Sequence, residues 1–127
     1  MGKDQKYISR RLKLAESKLK VAKLLFRHSE YRDAISRAYY AMFHGAKAFL
    51  LQHGQDPVSH KGVRVLLHQF CAKGQELEPA FAQMLSTVQE GRIEAEYDEM
   101  SHIGSKDARQ ALELAETFVK KIKKLLR

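Results

Sequence analysis

YRDAISRAYYAMFHGAKAFLL, residues 31–51, is the stretch that decides the fold, because its apolar residues recur at helical spacing on nearly every side. Tyr31, Ile35, Ala38, Met42, Gly45 and Phe49 follow one another at steps of four and three, and Tyr39, Phe43, Ala46 and Leu50 form a second stripe beside them. A helix that is apolar on two faces needs neighbours on both, so the remaining segments are expected to pack around this one. It also carries Arg37 and His44, seven residues apart and therefore on one side, two turns from each other.

Outward from this helix the chain reads as amphipathic segments joined by short breaks. Ile8, Leu12, Ala15, Leu19, Ala22 and Phe26 predict a first helix from near Asp4 to near His28, and Ser29 or Glu30 can start the central helix, which Gly54 ends. Gln55 to Val58 is a loop around Pro57, after which Ser59 is the expected N-cap of a third helix with Val63, Leu66, Leu67 and Phe70 inside and Gly74 as its stop. Pro79 suits the first turn of a fourth helix with the seam Ala80, Phe81, Met84, Leu85 and Val88. Beyond Val88 the acidic run Gly91 to Met100 can continue, bend or fray. Ser105 is the expected cap of a last helix whose seam is Ala108, Leu112, Ala115, Val119, Ile122 and Leu126. No strand-like alternation or internal repeat intervenes, and the fold class expected is an all-α, antiparallel up-and-down bundle of four to five helices in a single domain over residues 1–127.

At 127 residues and 44% hydrophobic content there is material for one ordinary globular core. No apolar run approaches the roughly 20 residues of a membrane span, no apolar signal core opens the chain, and the lone Cys71 has no partner for an internal disulfide, so a soluble cytoplasmic protein is expected. The six histidines show no ligand spacing, which argues against a metal site, and neither a glycine-rich phosphate loop nor a Ser- or Cys-centred nucleophile motif is present. No cofactor is implied.

The net charge of +8 is unevenly spread. Residues 1–27 carry nine Lys and Arg against Asp4 and Glu16, residues 120–127 carry five basic groups and no acid, and residues 76–99 carry seven acids against Arg92 alone. Basic ends of this kind suit phosphate contacts with nucleic acid or an acidic partner, and equally serve as solvated helix faces. His60 and Lys61, beside the Ser59 cap, could together bind an anion at a helix N-terminus, and Tyr39 and Tyr40 offer rings on which a base could stack.

The blocks Tyr31–Ala48, Ser59-His-Lys-Gly-Val63, Arg92-Ile-Glu-Ala-Glu-Tyr-Asp98 and Ala111–Val119, in that order and spacing, resemble the HEPN (higher eukaryotes and prokaryotes nucleotide-binding) domain family over roughly residues 8 to 126. The resemblance implies a helical bundle, commonly a homodimer, often encoded beside a minimal nucleotidyltransferase as a toxin–antitoxin or stress-response pair and binding nucleotide or RNA. Many such proteins are metal-independent ribonucleases. Their signature is an Arg followed after four to six residues by a His, the Arg holding a phosphate and the His exchanging protons. Here the position of the motif arginine falls to Arg92, but Tyr97 stands where histidine is wanted and the next imidazole is His102. A tyrosine with an ordinary pKa of about 10 is a poor base at neutral pH. Arg37 and His44 have the spacing, with six residues between, but lie on the central helix. The catalytic candidates are therefore Arg92, Tyr97, His102, Arg37 and His44, and the nucleotide- or phosphate-binding candidates Arg37, Tyr40, His60, Lys61 and Arg92. The favoured expectation is a nucleotide- or RNA-binding interaction module. The alternative is an endoribonuclease using an Arg/His pair. Arg37 and His44 read either as a displaced catalytic or phosphate-binding pair, or as Arg37 paired with buried acids of residues 94–99 or tyrosine hydroxyls beside a hydrogen-bonded core His44.

Overall fold

A computed structural model describes residues 2–74 and 76–126, so Arg127 of the basic C-terminal run lies outside the described residues. Five α-helices follow one another: α1 (Gly2–Arg27), α2 (Tyr31–Gln52), α3 (His60–Ala72), α4 (Pro79–Tyr97) and α5 (Ser105–Leu125). The stretch quoted first is α2, and it is the one helix that packs against all four others. Ala38, Met42, Ala46 and Leu50 are fully buried on it, as the two stripes require, and so is Ala48 outside them.

Pairwise contacts give the directions. Arg11 meets His44 across α1 and α2, Lys23 meets Glu116 and Lys123 meets Glu16 across α1 and α5, and His68 meets Ser86 across α3 and α4. Between α1 and α5 a rising number faces a falling one, and Phe26 beside Tyr31 together with Arg11 beside His44 gives the same sense for α1 and α2, so these neighbours run antiparallel. Short connections between long amphipathic helices leave little alternative. The core fills with Phe49, Phe118, Met42, Leu67, Leu77, Leu85 and Ile122.

The helix ends follow local chemistry. Gly54 (φ 77°) and Gly74 (φ 66°) hold the left-handed positions after α2 and α3, and the Gln55 amide closes back on Leu50 O at 2.8 Å. After α1 the left-handed residue is Ser29 (φ 62°), with the Glu30 amide bonded to Leu25 O at 2.9 Å. Ser59 caps α3 as expected, its Oγ accepting from the Gly62 amide at 2.9 Å. Two expectations are corrected. Gly104, not Ser105, is the N-cap of α5, because the Asp107 carboxylate reaches back to the Gly104 amide at 3.0 Å and needs no N-cap side chain. Ala80 is exposed and Ala82 takes its place inside, since α4 turns its Phe81–Ala82–Leu85 side toward the core.

The segment that periodicity left open is helical through Gly91 to Tyr97. Val88, Gln89, Arg92 and Ala95 form its buried side, so α4 continues because a polar seam replaces the apolar one. Its far end is held by Arg32 of α2. One guanidinium donates to Ala95 O (2.9 Å), a last-turn carbonyl that the helix leaves without a partner, and to Asp98 O (3.1 Å) and Ser101 O just beyond the helix.

Candidate functional site

Arg92 projects from α4 onto α2, with only 9% of its surface exposed. Its guanidinium lies over the Tyr39 ring at 4.9 Å and the Tyr40 ring at 5.7 Å. Nε donates to Gln89 Oε1 at 3.1 Å and Nη1 to the Glu96 carboxylate, one turn away on either side. Nη2 makes no hydrogen bond among the described residues, yet it is not sealed from solvent. The fork is thus held on two nitrogens and open on the third, which is how a planar guanidinium is prepared for an anionic oxygen.

His60 stands opposite. The Ser59 cap fixes the entry of α3 and turns the imidazole back onto α2, 4.3 Å from the Phe43 ring and 5.6 Å from the Tyr39 ring between centroids. Its Nδ1 shares a 2.7 Å hydrogen bond with the Tyr39 hydroxyl, and Nε2 makes none among the described residues. Burial, then Arg92 and Lys47, press its pKa below the ordinary histidine value. Burial pushes the Tyr39 phenol up to about 12 despite the pull of Arg92, so it stays protonated. The result is a neutral imidazole and a fixed guanidinium on either side of one tyrosine.

A second histidine extends the cluster. His44 Nδ1 accepts from Arg11 of α1 at 2.9 Å, which leaves the ring proton on Nε2. Burial first, then Arg11, Lys18, Lys47 and His60, lower its pKa to about 4, and it is uncharged at neutral pH. Lys47, with its side chain 8% exposed, reaches Asp56 at 3.5 Å.

The other sequence candidates lie elsewhere. Arg37 is exposed and has no hydrogen bond or ion pair among the described residues, so the expected pairing with acids or tyrosine hydroxyls is corrected. The arginine of α2 that meets residues 95–101 is Arg32, and it binds their backbone carbonyls rather than their carboxylates. Tyr97 is 73% exposed and Lys61 and His102 are exposed, so Arg37, Arg92 and Tyr97 form no shared polar cluster. Arg37 and His44 remain two turns apart, with His44 committed to Arg11.

A HEPN domain profile matches residues 8–125, almost the whole bundle. The chain belongs to the HEPN domain family. Among similar proteins, one from Methanocaldococcus jannaschii named "putative toxin" is 34% identical over 91% of this chain and 86% of its own length. A UPF0332 protein of Archaeoglobus fulgidus is 35% identical over 89% of this chain and 90% of its own. The crystal structure of TT1696 from Thermus thermophilus superimposes with a TM-score of 0.79 at 18% identity, covering 92% of this chain and 96% of that one, which shows the shared fold.

In this HEPN domain Arg92 is buried against α2, while Tyr97, five residues on, faces outward. The imidazole beside Arg92 comes from a different helix, α3. Sequence reading named Arg92, Tyr40 and His60 separately but had no means of joining them. It missed Gln89 and Glu96, whose spacings of three and four from Arg92 were visible, and Arg11, Lys47 and Arg32, which carried no local signal. No three His, Cys, Asp or Glu side chains gather as a metal site among the described residues, and none of their helices is long and apolar enough to cross a membrane.

Proposed function

We propose that this HEPN domain is a nucleotide- or RNA-binding interaction module that works in the cytoplasm as a homodimer, partnered by a separately encoded nucleotidyltransferase in a toxin–antitoxin or stress-response pair. One observation carries the binding reading. Arg92 is held by Gln89 and Glu96 over Tyr39 and Tyr40 with Nη2 open, so a phosphate oxygen can be bound without reorganising the arginine. Partly buried Tyr40 and Phe43 and the His60 edge supply apolar and hydrogen-bonding surface for a base beside it. The toxin naming of relatives supports the pairing.

A second reading, a metal-independent endoribonuclease, gains from one feature. His60 is neutral, carries a free Nε2 and shares Tyr39 with Arg92, so an Arg/His pair exists across α3 and α4 although the helix signature is broken. Incubating the purified protein with RNA in EDTA separates the two. Intact RNA together with binding that Arg92→Gln weakens supports the module, whereas cleavage lost in both Arg92→Gln and His60→Ala replaces it with the nuclease. Co-purification with a nucleotidyltransferase encoded next to this chain tests the pairing, and its failure removes that part.

A further inference from the structure

The line of cationic and aromatic side chains does not stop at Arg92. From His60 it passes to Phe43 at 4.3 Å, from Phe43 to His44 at 5.6 Å, and from His44 Nδ1 to Arg11 at 2.9 Å. Arg11 is in turn one wall of a cleft of about 430 Å³ between α1 and the end of α2, lined by Tyr7, Arg10, Arg11, Leu14, Leu51 and Asp56. Asp56, the one acid there, is already met by Lys47 at 3.5 Å. Neither Arg10 nor Arg11 has a carboxylate within ion-pair reach among the described residues, and His44, the partner of Arg11, is neutral. The cleft therefore keeps uncompensated positive charge. Tyr7 stands at its edge half exposed, and Leu14 and Leu51 give it an apolar lining.

Uncompensated arginines beside an accessible ring and apolar walls are the combination that takes one nucleotide of a flexible strand: the ring stacks the base and the guanidinium groups hold the phosphate. A duplex keeps its bases paired and stacked away from such a ring. From Tyr40 to Leu51 runs three turns of α2, roughly 16 Å, a span that a few nucleotides bridge. We propose that the Tyr7–Arg10–Arg11 cleft is a second nucleotide subsite and that the occupant of this face is a single strand of RNA, running from Arg92 past His60 and His44 to α1. This rests on the RNA-binding reading above and adds to it the class of ligand and its path.

The test is fluorescence anisotropy with two labelled probes, a dinucleotide and an oligoribonucleotide of about eight residues. Both are titrated against the wild-type chain, Tyr7→Ala, Arg10→Gln and Arg92→Gln. Tyr7 and Arg10 lie on the surface, so these variants keep the fold, which circular dichroism checks. The longer probe binds more tightly than the dinucleotide to the wild type. Tyr7→Ala weakens it on the order of tenfold. Arg10→Gln lowers the slope of log affinity against log salt by about 0.7. Neither substitution changes dinucleotide binding, which Arg92→Gln abolishes. Equal affinity of the longer probe for Tyr7→Ala, Arg10→Gln and wild type overturns the subsite. If the wild type then still binds the dinucleotide through Arg92, the binding reading stands alone, and if the wild type binds neither probe, both fall.

Discussion

Replacing Arg92 by alanine removes a guanidinium that joins α4 to α2, and its cost can be worked from the contacts. Two cation–ring contacts, at 4.9 and 5.7 Å, are each worth about 0.5–1 kcal/mol at exposed sites and more when desolvated. Losing the ionic hydrogen bond to Glu96 costs about 1.5–3 kcal/mol in a buried setting, but the Glu96 side chain is 31% exposed and regains water, so the lower end applies. Gln89, 8% exposed, is left without a donor for its Oε1. Since neighbouring contacts are not additive, the expected loss is about 3 kcal/mol. Arg92→Lys keeps the charge but not the planar stack or the two-point hold, and is expected to lose about half of that. Urea unfolding followed by circular dichroism reads both. With a slope of about 1–3 kcal/mol per molar, Arg92→Ala lowers the midpoint by roughly 1–3 M at unchanged slope. The added change Glu96→Gln recovers part of the loss, because some of the penalty belongs to the carboxylate left without its partner. A midpoint for Arg92→Ala indistinguishable from wild type would refute the idea that this polar seam holds α4 in place.

Three further outcomes follow from single contacts. His44 is neutral in the folded protein down to about pH 4 but takes its proton near the ordinary value of 6.5 when unfolded. Its depressed pKa therefore contributes stability above about pH 6.5 that is lost as pH falls toward 4. Allowing for half-burial this is about 1–2 kcal/mol, and His44→Gln should flatten the stability curve in that window, His60 keeping a slope of the same sign. An unchanged curve would show that His44 is not the titrating group. Ser29→Gly relieves a left-handed serine at the end of α1 and should raise stability by about 0.5 kcal/mol, the strain released outweighing the chain entropy that glycine adds. A lower melting temperature would contradict this. Arg32→Ala frees the carbonyls of Ala95, Asp98 and Ser101, so hydrogen exchange should speed up tenfold or more in residues 93–101 while α1 and α5 keep their protection. Uniform acceleration across the chain would mean that the clamp is not local.

How much of this was legible is clearest at α4. The periodicity that named every other helix failed after Val88 because the buried side there is Gln89 and Arg92, and a polar seam has no apolar signature. Arg92 was marked by its resemblance to a family motif, and Gln89 and Glu96 sit at spacings that a helix makes neighbours, but nothing local told the reader that α4 remained helical there. His44, a catalytic candidate whose alternative was a hydrogen-bonded core histidine, is half-buried and bonded to Arg11, which lies 33 positions away on another helix.

The sequence by itself determined an all-α bundle of four to five helices, their order, the caps at Ser59 and Gly54, and α2 as the spine, because these depend on a period of 3.6 and on residues within one turn. Only the tertiary structure decided which polar groups meet. Arg92 with Tyr39, His60 with Phe43, Arg11 with His44 and Arg32 with the end of α4 are all contacts between helices. Such contacts are set by the rotation of each helix about its axis and by side chains several bonds long, and neither leaves a mark on the local pattern.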